Sequence, residues 1–352
     1  MTISHHSHSG QFCLHAQGTL EQVVQTAIAK GFTTFGLTEH VPRSRVQDLY
    51  PEEVSDGKSW ADLTPEDLTT TFASYLAEAQ RLRSHYSSQI TLLIGLETEA
   101  IHPLTLDELD SLLADPSSPI QYLVGSIHHV SETPIDFDQR TYQTLLSSLP
   151  APTTESRLTL LFSSYFDAQY DLLVRFKPEV IGHFDLCRLY DPDQQFRKYP
   201  QVWAKIERNV KQAIGYGALF EINASAFRKG WKTPYPGRDV FEVSEGERPR
   251  YPATDYLTPR DTPLPLQLIQ SLGGRFTLSD DSHGPQAVGL HYDQTYSYLV
   301  EMGLQELWYL APAPVGSADL NVSRGVVARK IEGRPWQKEW RDLLQRSSPD
   351  GV

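Results

Sequence analysis

Along this chain, short apolar runs alternate with segments in which apolar residues recur every three or four positions. The first such segment opens at Thr19-Leu20-Glu21-Gln22, a capping box with Gln22 three residues after Thr19. Val23, Val24, Ala27 and Ile28 continue the helical spacing, and Gly31 stops it. A strand over Thr33–Leu37 then delivers His40 just past its end. The unit recurs: a helix from Leu68 to His85 precedes a strand over Ile90–Leu96, which ends at Glu97, and a helix from Leu106 to Ala114 precedes Tyr122–Ile127, which ends at His128. Leu158–Phe176 leads to Val180-Ile181-Gly182-His183, and Val202–Tyr216 leads to the strand Ala218–Asn223. Pro265–Leu272 leads to Arg275–Leu278 and then Asp280 and Asp281, and a last unit pairs Thr295–Met302 with Leu307–Leu310. Alternation of this kind predicts an α/β fold with a parallel sheet and right-handed crossovers. Barrels of this type reach the length of this 352-residue chain as one unit, so a single domain over 1–352 is expected.

The polar residues that end the strands keep a common phase. His40, Glu97, His128, His183 and the Asp281–His283 pair all follow apolar strands at their C-terminal ends, where barrel enzymes hold their chemistry. Two segments break the rhythm: Val41–Pro65 is polar and carries Arg43 and Arg45, and Trp231–Pro263 is Pro-rich without periodicity. Both leave the presumed active face and are expected to enclose substrate, as long loops on such a face commonly do. The tail from Arg324 is expected to end in a helix over Trp336–Leu344.

The N-terminus adds a denser cluster. His6 and His8 form an H-x-H pair, and His15 follows. In a strand, residues two apart share a face, so His6 and His8 can reach one ion while His5 and Ser7 point away. A purification tag would be continuous, whereas here serines are interspersed and apolar Ile3 and Phe12 flank the run.

Composition narrows the partners. The formal charge is −13, which disfavours sequence-blind binding to nucleic acid; an anionic substrate would need locally placed positive charge. Two cysteines, Cys13 and Cys187, imply no disulfide framework and read as small buried thiols. No stretch approaches the roughly 18 apolar residues of a membrane span, and no signal-peptide core precedes the first helix. A cytoplasmic setting without membrane partners is therefore expected. Oligomeric state is not legible.

Asp281-Ser282-His283 repeats the shared-face spacing, with Asp280 facing away if the segment stays extended; Glu97 and Glu99 pose the same choice, which strand phase leaves open. A carboxylate can bridge two cations and an imidazole nitrogen cannot, so a central Glu among histidines points to more than one ion. These donors outnumber the four ligands of one tetrahedral site.

In their order, His6-Ser7-His8, His15, Thr38-Glu39-His40, Gly95-Leu96-Glu97, Gly125-Ser126-Ile127-His128, Ile181-Gly182-His183-Phe184-Asp185 and Asp281-Ser282-His283 resemble the polymerase and histidinol phosphatase (PHP) superfamily. The likeness runs from His5 to about Leu310 and is nearest to the monofunctional histidinol-phosphatases. It implies a distorted, TIM-like (β/α)7 barrel with a trinuclear site at the C-terminal ends of the strands. It implies one ion on His6, His8, Glu97 and Asp281, a second on bridging Glu97 with His128 and His183, and a third on His15, His40 and His283. This resolves Glu97 over Glu99 and Asp281 over Asp280 by motif. Glu39 departs from the Asp of many relatives but is not a ligand in this scheme. Mixed N/O donors admit zinc, iron or manganese.

The expected reaction is hydrolysis of the small phosphate ester L-histidinol phosphate, a step of histidine biosynthesis, by a metal-bridging hydroxide attacking phosphorus. Asp185 is expected either to protonate the leaving alkoxide or to orient a ligand. Arg228, with Arg188 and Arg43 as further candidates, is expected to bind phosphate, where a planar fork suits the oxygens. The alternatives are a PHP phosphoesterase acting on another small ester or a nucleotide, and a metal-binding scaffold without turnover. An amidohydrolase is disfavoured, since it would bring a bridging lysine and a lone Asp.

Overall fold

The computed structural model describes residues 1–54, 63–241, 268–314 and 324–332. Seven strands hydrogen-bond in chain order, all parallel: β1 (Thr2–Ser4), β2 (Phe32–Leu37), β3 (Thr91–Glu97), β4 (Tyr122–Gly125), β5 (Val180–Ile181), β6 (Leu219–Asn223) and β7 (Arg275–Ser279). The ends of the sheet approach each other, with the His5 amide donating to the Leu278 carbonyl at 3.3 Å. Just above, Ser7–His8 pairs in parallel with Ser282–His283. The result is a nearly closed barrel whose helices lie outside: α1 (Leu20–Ala29), α2 (Pro65–His85), α3 (Pro103–Leu113), α4 (Gln139–Ser148), α5 (Thr154–Phe176), α6 (Pro200–Tyr216) and α7 (Tyr292–Glu301).

Local chemistry sets the helix ends as expected. The Thr19 hydroxyl accepts from the Gln22 amide and the Gln22 side chain accepts from the Thr19 amide, so two of the unpaired donors at the start of α1 are satisfied. Helix α4 is not anticipated by the apolar spacing; Asp138 caps it, and it buries Tyr142, Leu145 and Leu146.

Alternation along the strands separates two cores. In β3, Leu92, Ile94 and Leu96 join the core beneath the helices, while Leu93 joins a smaller cluster with Tyr122, Val124, Val180 and Leu219. Glu97 therefore shares the phase of Leu93 and ends β3 on the barrel's interior side. Tyr122 fills much of that interior: a Cβ added at Gly36 would fall 1.9 Å from its hydroxyl, and one at Gly95 2.6 Å from its ring. Small residues at these two positions make room for the ring beneath the site.

One expectation fails here. The Leu307–Leu310 strand does not continue the parallel alternation; β8 (Trp308–Pro312) pairs antiparallel with β9 (Val326–Lys330). The reason is closure, because β1 already flanks β7 and leaves no free sheet edge for another parallel strand. The hairpin instead packs Leu310 and Val326 onto the interior cluster, near the starts of β5 and β6. His5 fastens it by accepting from the Leu310 amide at 3.0 Å, and burial holds this imidazole neutral, with its pKa lowered to about 3. His5→Ala would leave a buried amide unpaired and is expected to cost about 2 kcal/mol of unfolding free energy in urea titrations. His5→Gln retains an acceptor and should recover part of it.

Among the described residues no helix is long and apolar enough to cross a membrane. The tail helix expected at Trp336–Leu344 lies outside the described residues, as do residues 55–62 of the first long loop and 242–263 of the second.

Candidate metal centre

At the C-terminal end of β3 the Glu97 carboxylate stands among five imidazoles. Oε2 lies 3.1 Å from His6 Nε2, 3.2 Å from His8 Nε2 and 3.2 Å from His40 Nδ1. Oε1 lies 2.9 Å from His183 Nε2 and 3.3 Å from His128 Nε2. The two oxygens thus face two separate sets of nitrogens. Asp281 Oδ1 closes one set, 3.6 Å from His6 Nε2 and 3.7 Å from His8 Nε2. Burial pushes the Glu97 carboxyl up, but His6, His128 and His40 together hold it well below the ordinary carboxylate range.

His15, His40 and His283 form the outer part, with ring centroids 5.5 Å apart for His15–His40 and 5.1 Å for His15–His283. The tight donor groups here join His40 and His283 to His8, and His15 and His40 to Cys13. Cys13 and Cys187 are both buried and unpaired as thiols, and Cys13 Sγ lies 3.1 Å from His15 Nε2.

The chain turns sharply after β7. Asp281 takes a left-handed backbone, φ 48°, which Asp tolerates better than most residues. This turn sends the neighbouring carboxylates to different places: Asp280 accepts from Ser4 Oγ at 2.8 Å and from the Gly289 amide at 2.5 Å, away from the imidazoles.

The far ring nitrogens meet a second set of carboxylates. His6 Nδ1 lies 3.2 Å from Glu221, His8 Nδ1 3.5 Å from Glu39, His128 Nδ1 3.3 Å from Glu99 and His15 Nδ1 2.7 Å from Glu52. Histidines that ligate metals are commonly held in this way, which fixes the tautomer and aims the other nitrogen at the ion. Glu221 is the most heavily engaged. It also accepts from the His183 amide at 2.5 Å, from Asn223 Nδ2 at 2.7 Å and from Ser279 Oγ at 2.6 Å. Sequence reasoning assigns Glu221 and Glu52 no role; the available signal for Glu221 is a charge inside an otherwise apolar strand. Glu221→Gln removes one acceptor oxygen from this network. It is expected to weaken metal affinity about 10- to 100-fold in chelator competition.

Converging ring nitrogens 3.2 Å apart, as in His6–His8 and His128–His183, and a buried His40 Nε2 without a hydrogen-bond partner are costly arrangements for a protein alone. They fit a donor set built for cations.

A cavity of about 560 Å³ opens over this floor, and Arg228 and Lys229 stand in its wall. Arg228 is anchored by the Asp280 and Asp281 carbonyls at 2.9 and 2.7 Å. The other two candidate arginines do not line the cavity, contrary to expectation. Arg43 is 3% exposed, pairs with Glu53 and lies over the Tyr50 ring. Arg188 is 2% exposed and pairs with Asp185 and Asp239. Both are absorbed in fastening loops, because a buried guanidinium needs its own counter-charges. Asp185 likewise stays beneath the surface, accepting from Arg188 Nη2 at 2.5 Å and the Gly237 amide at 2.9 Å. Its carboxylate holds Arg188 and the backbone at Gly237 and is not part of the cavity wall. In the loop after β2, Tyr50 and Glu52 do reach the cavity, and the Tyr50 hydroxyl donates to Glu99.

Comparison with known proteins agrees with this geometry. A Schizosaccharomyces pombe protein named "Probable histidinol-phosphatase" is 45% identical over 338 residues, covering 95% of this chain and 98% of the relative. The Saccharomyces cerevisiae histidinol-phosphatase is 29% identical over 360 residues, covering 95% and 98%. The crystal structure of the Lactococcus lactis histidinol phosphate phosphatase, in complex with zinc, L-histidinol and phosphate, shares the fold. It superposes with a TM-score of 0.56 at 17% identity, covering 87% of this chain and 95% of that one. The profile of the PHP domain matches residues 4–225, and the chain belongs to the PHP family.

Proposed function

We infer that this protein is a metal-dependent histidinol-phosphatase, which hydrolyses L-histidinol phosphate to L-histidinol and phosphate. The observation that carries the reading is Glu97 set between two groups of imidazoles on the floor of a cavity that also presents Arg228. The near full-length likeness to the fungal relatives supports the substrate. The free, buried Cys13 and Cys187 suit a reducing compartment such as the cytoplasm.

In this reading His6, His8, Glu97 and Asp281 would hold one ion, Glu97 with His128 and His183 would hold a second, and His15, His40 and His283 a third, drawn from zinc, iron or manganese. When bound, such cations supply Lewis acidity toward phosphoryl oxygens and acidify water near neutral pH. The chain's own groups do the rest. Glu221, Glu39, Glu99 and Glu52 keep the imidazoles aimed inward. Arg228, pre-set by two backbone carbonyls, receives phosphate oxygens without first ordering a free side chain. The position of Asp185 favours holding Arg188 over protonating a leaving group.

Metal analysis of the purified protein, coupled to a phosphate-release assay with L-histidinol phosphate, tests the reading. Release accompanied by stoichiometric metal supports it. Metal-bearing protein inert on this ester but active on another phosphoester would move the substrate and leave the chemistry.

A further inference from the structure

The carboxylates in the cavity wall differ in how they are engaged. Glu97 and Asp281 face imidazoles and Glu52 pairs with His15, but Asp136 makes no ion pair or hydrogen bond among the described residues. Asp136 is also firmly placed. Its neighbour Ile135 is fully buried and donates its amide to the carbonyl of His128 at 2.9 Å, so the position is tied to the metal-centre histidine itself. On its other side Asp138 caps α4 by accepting from the Thr141 amide at 2.6 Å. Pro134 and Phe137, beside it in the wall, are apolar and offer no competing charge. Tyr50 lines the same cavity as Asp136, and its hydroxyl is engaged with Glu99.

The cavity therefore holds unpaired negative charge at Asp136 and cationic side chains at Arg228 and Lys229 that do not neutralise it. A ligand that matches both carries an anionic group and a cation within one small molecule. An amino-alcohol phosphate has this form at neutral pH: its amine is protonated, whereas an imidazole with a pKa of about 6.5 is largely neutral. We propose that Asp136 is a specificity residue that binds the ammonium group of an amino-alcohol phosphate while Arg228 receives its phosphate. This assignment rests on the function inferred above and deepens it.

The test compares two esters on metal-loaded enzyme: L-histidinol phosphate and imidazolylpropyl phosphate, the same molecule without the amino group. For Asp136→Asn, kcat/KM on L-histidinol phosphate is expected to fall about tenfold or more, mainly through KM, as loss of a charge-assisted hydrogen bond implies. The loss on the desamino ester is expected to be much smaller, so the preference for the amine collapses. Asp136→Glu, which keeps the charge, is expected to retain part of that preference. Equal losses on both esters, or an unchanged preference, in an enzyme that turns over L-histidinol phosphate overturns this inference alone. Wild-type protein that turns over neither ester overturns the function reading and this inference with it.

Discussion

Glu97→Gln is expected to lower turnover of L-histidinol phosphate by about 10³-fold or more, because it removes the one charge that both groups of imidazoles share. The substitution keeps the volume of the side chain and changes only its donor chemistry. Where two acceptor oxygens now face His6, His8 and His40 on one side and His128 and His183 on the other, an amide would present one oxygen and one N–H group. The N–H group cannot ligate a cation, so at least one group of donors loses its anion. Metal analysis should show fewer ions per chain alongside the lost rate. A variant with normal metal content and full turnover would remove Glu97 from the centre. The fold itself should survive, since Glu97 ends its strand and belongs to neither apolar cluster.

Removal of metal by a chelator is expected to abolish activity and to lower thermal stability at the same time. An ion bound only by the folded chain, and present about 1,000-fold above its dissociation constant, stabilises that chain by about 4 kcal/mol. Stripping it also leaves buried imidazole nitrogens facing one another, as at His6–His8 and His128–His183, both pairs 3.2 Å apart. Return of zinc, manganese or iron should restore both the melting temperature and phosphate release. Reloading should weaken as pH falls, because the histidine donors must be deprotonated to ligate. Unaltered activity after verified metal loss would contradict the proposed chemistry.

The residues at the strand ends are legible in the amino-acid pattern because their placement is a local matter. His40, Glu97, His128, His183 and Asp281 each follow an apolar run of strand length, and the parallel barrel brings such positions to one rim. The choice between Asp280 and Asp281 is different. Strand phase assumes an extended backbone there, whereas the left-handed turn at Asp281 re-aims both carboxylates. The arginines mislead for a related reason. From sequence, Arg43, Arg188 and Arg228 all follow strands; the resemblance puts Arg228 first, and spacing does not show which of them a carboxylate neutralises. Only Arg228 has no acidic partner among its bonds and is held by carbonyls at the cavity wall.

Sequence alone determined the alternation of strand and helix, the capping of α1, the rim that carries the ligand-type residues and the membership of His6 and His8 in one face. Each follows from spacing over a few residues, which a single segment contains. Tertiary structure decided that β1 closes the barrel and that β8 is therefore diverted into a hairpin under it. It also decided that Glu221, 215 residues from His6 along the chain, is the carboxylate that holds that ring. These outcomes depend on which distant segments meet. A carboxylate in an apolar strand is compatible with ligation, support of a ligand or simple ion pairing, until its partner is in place.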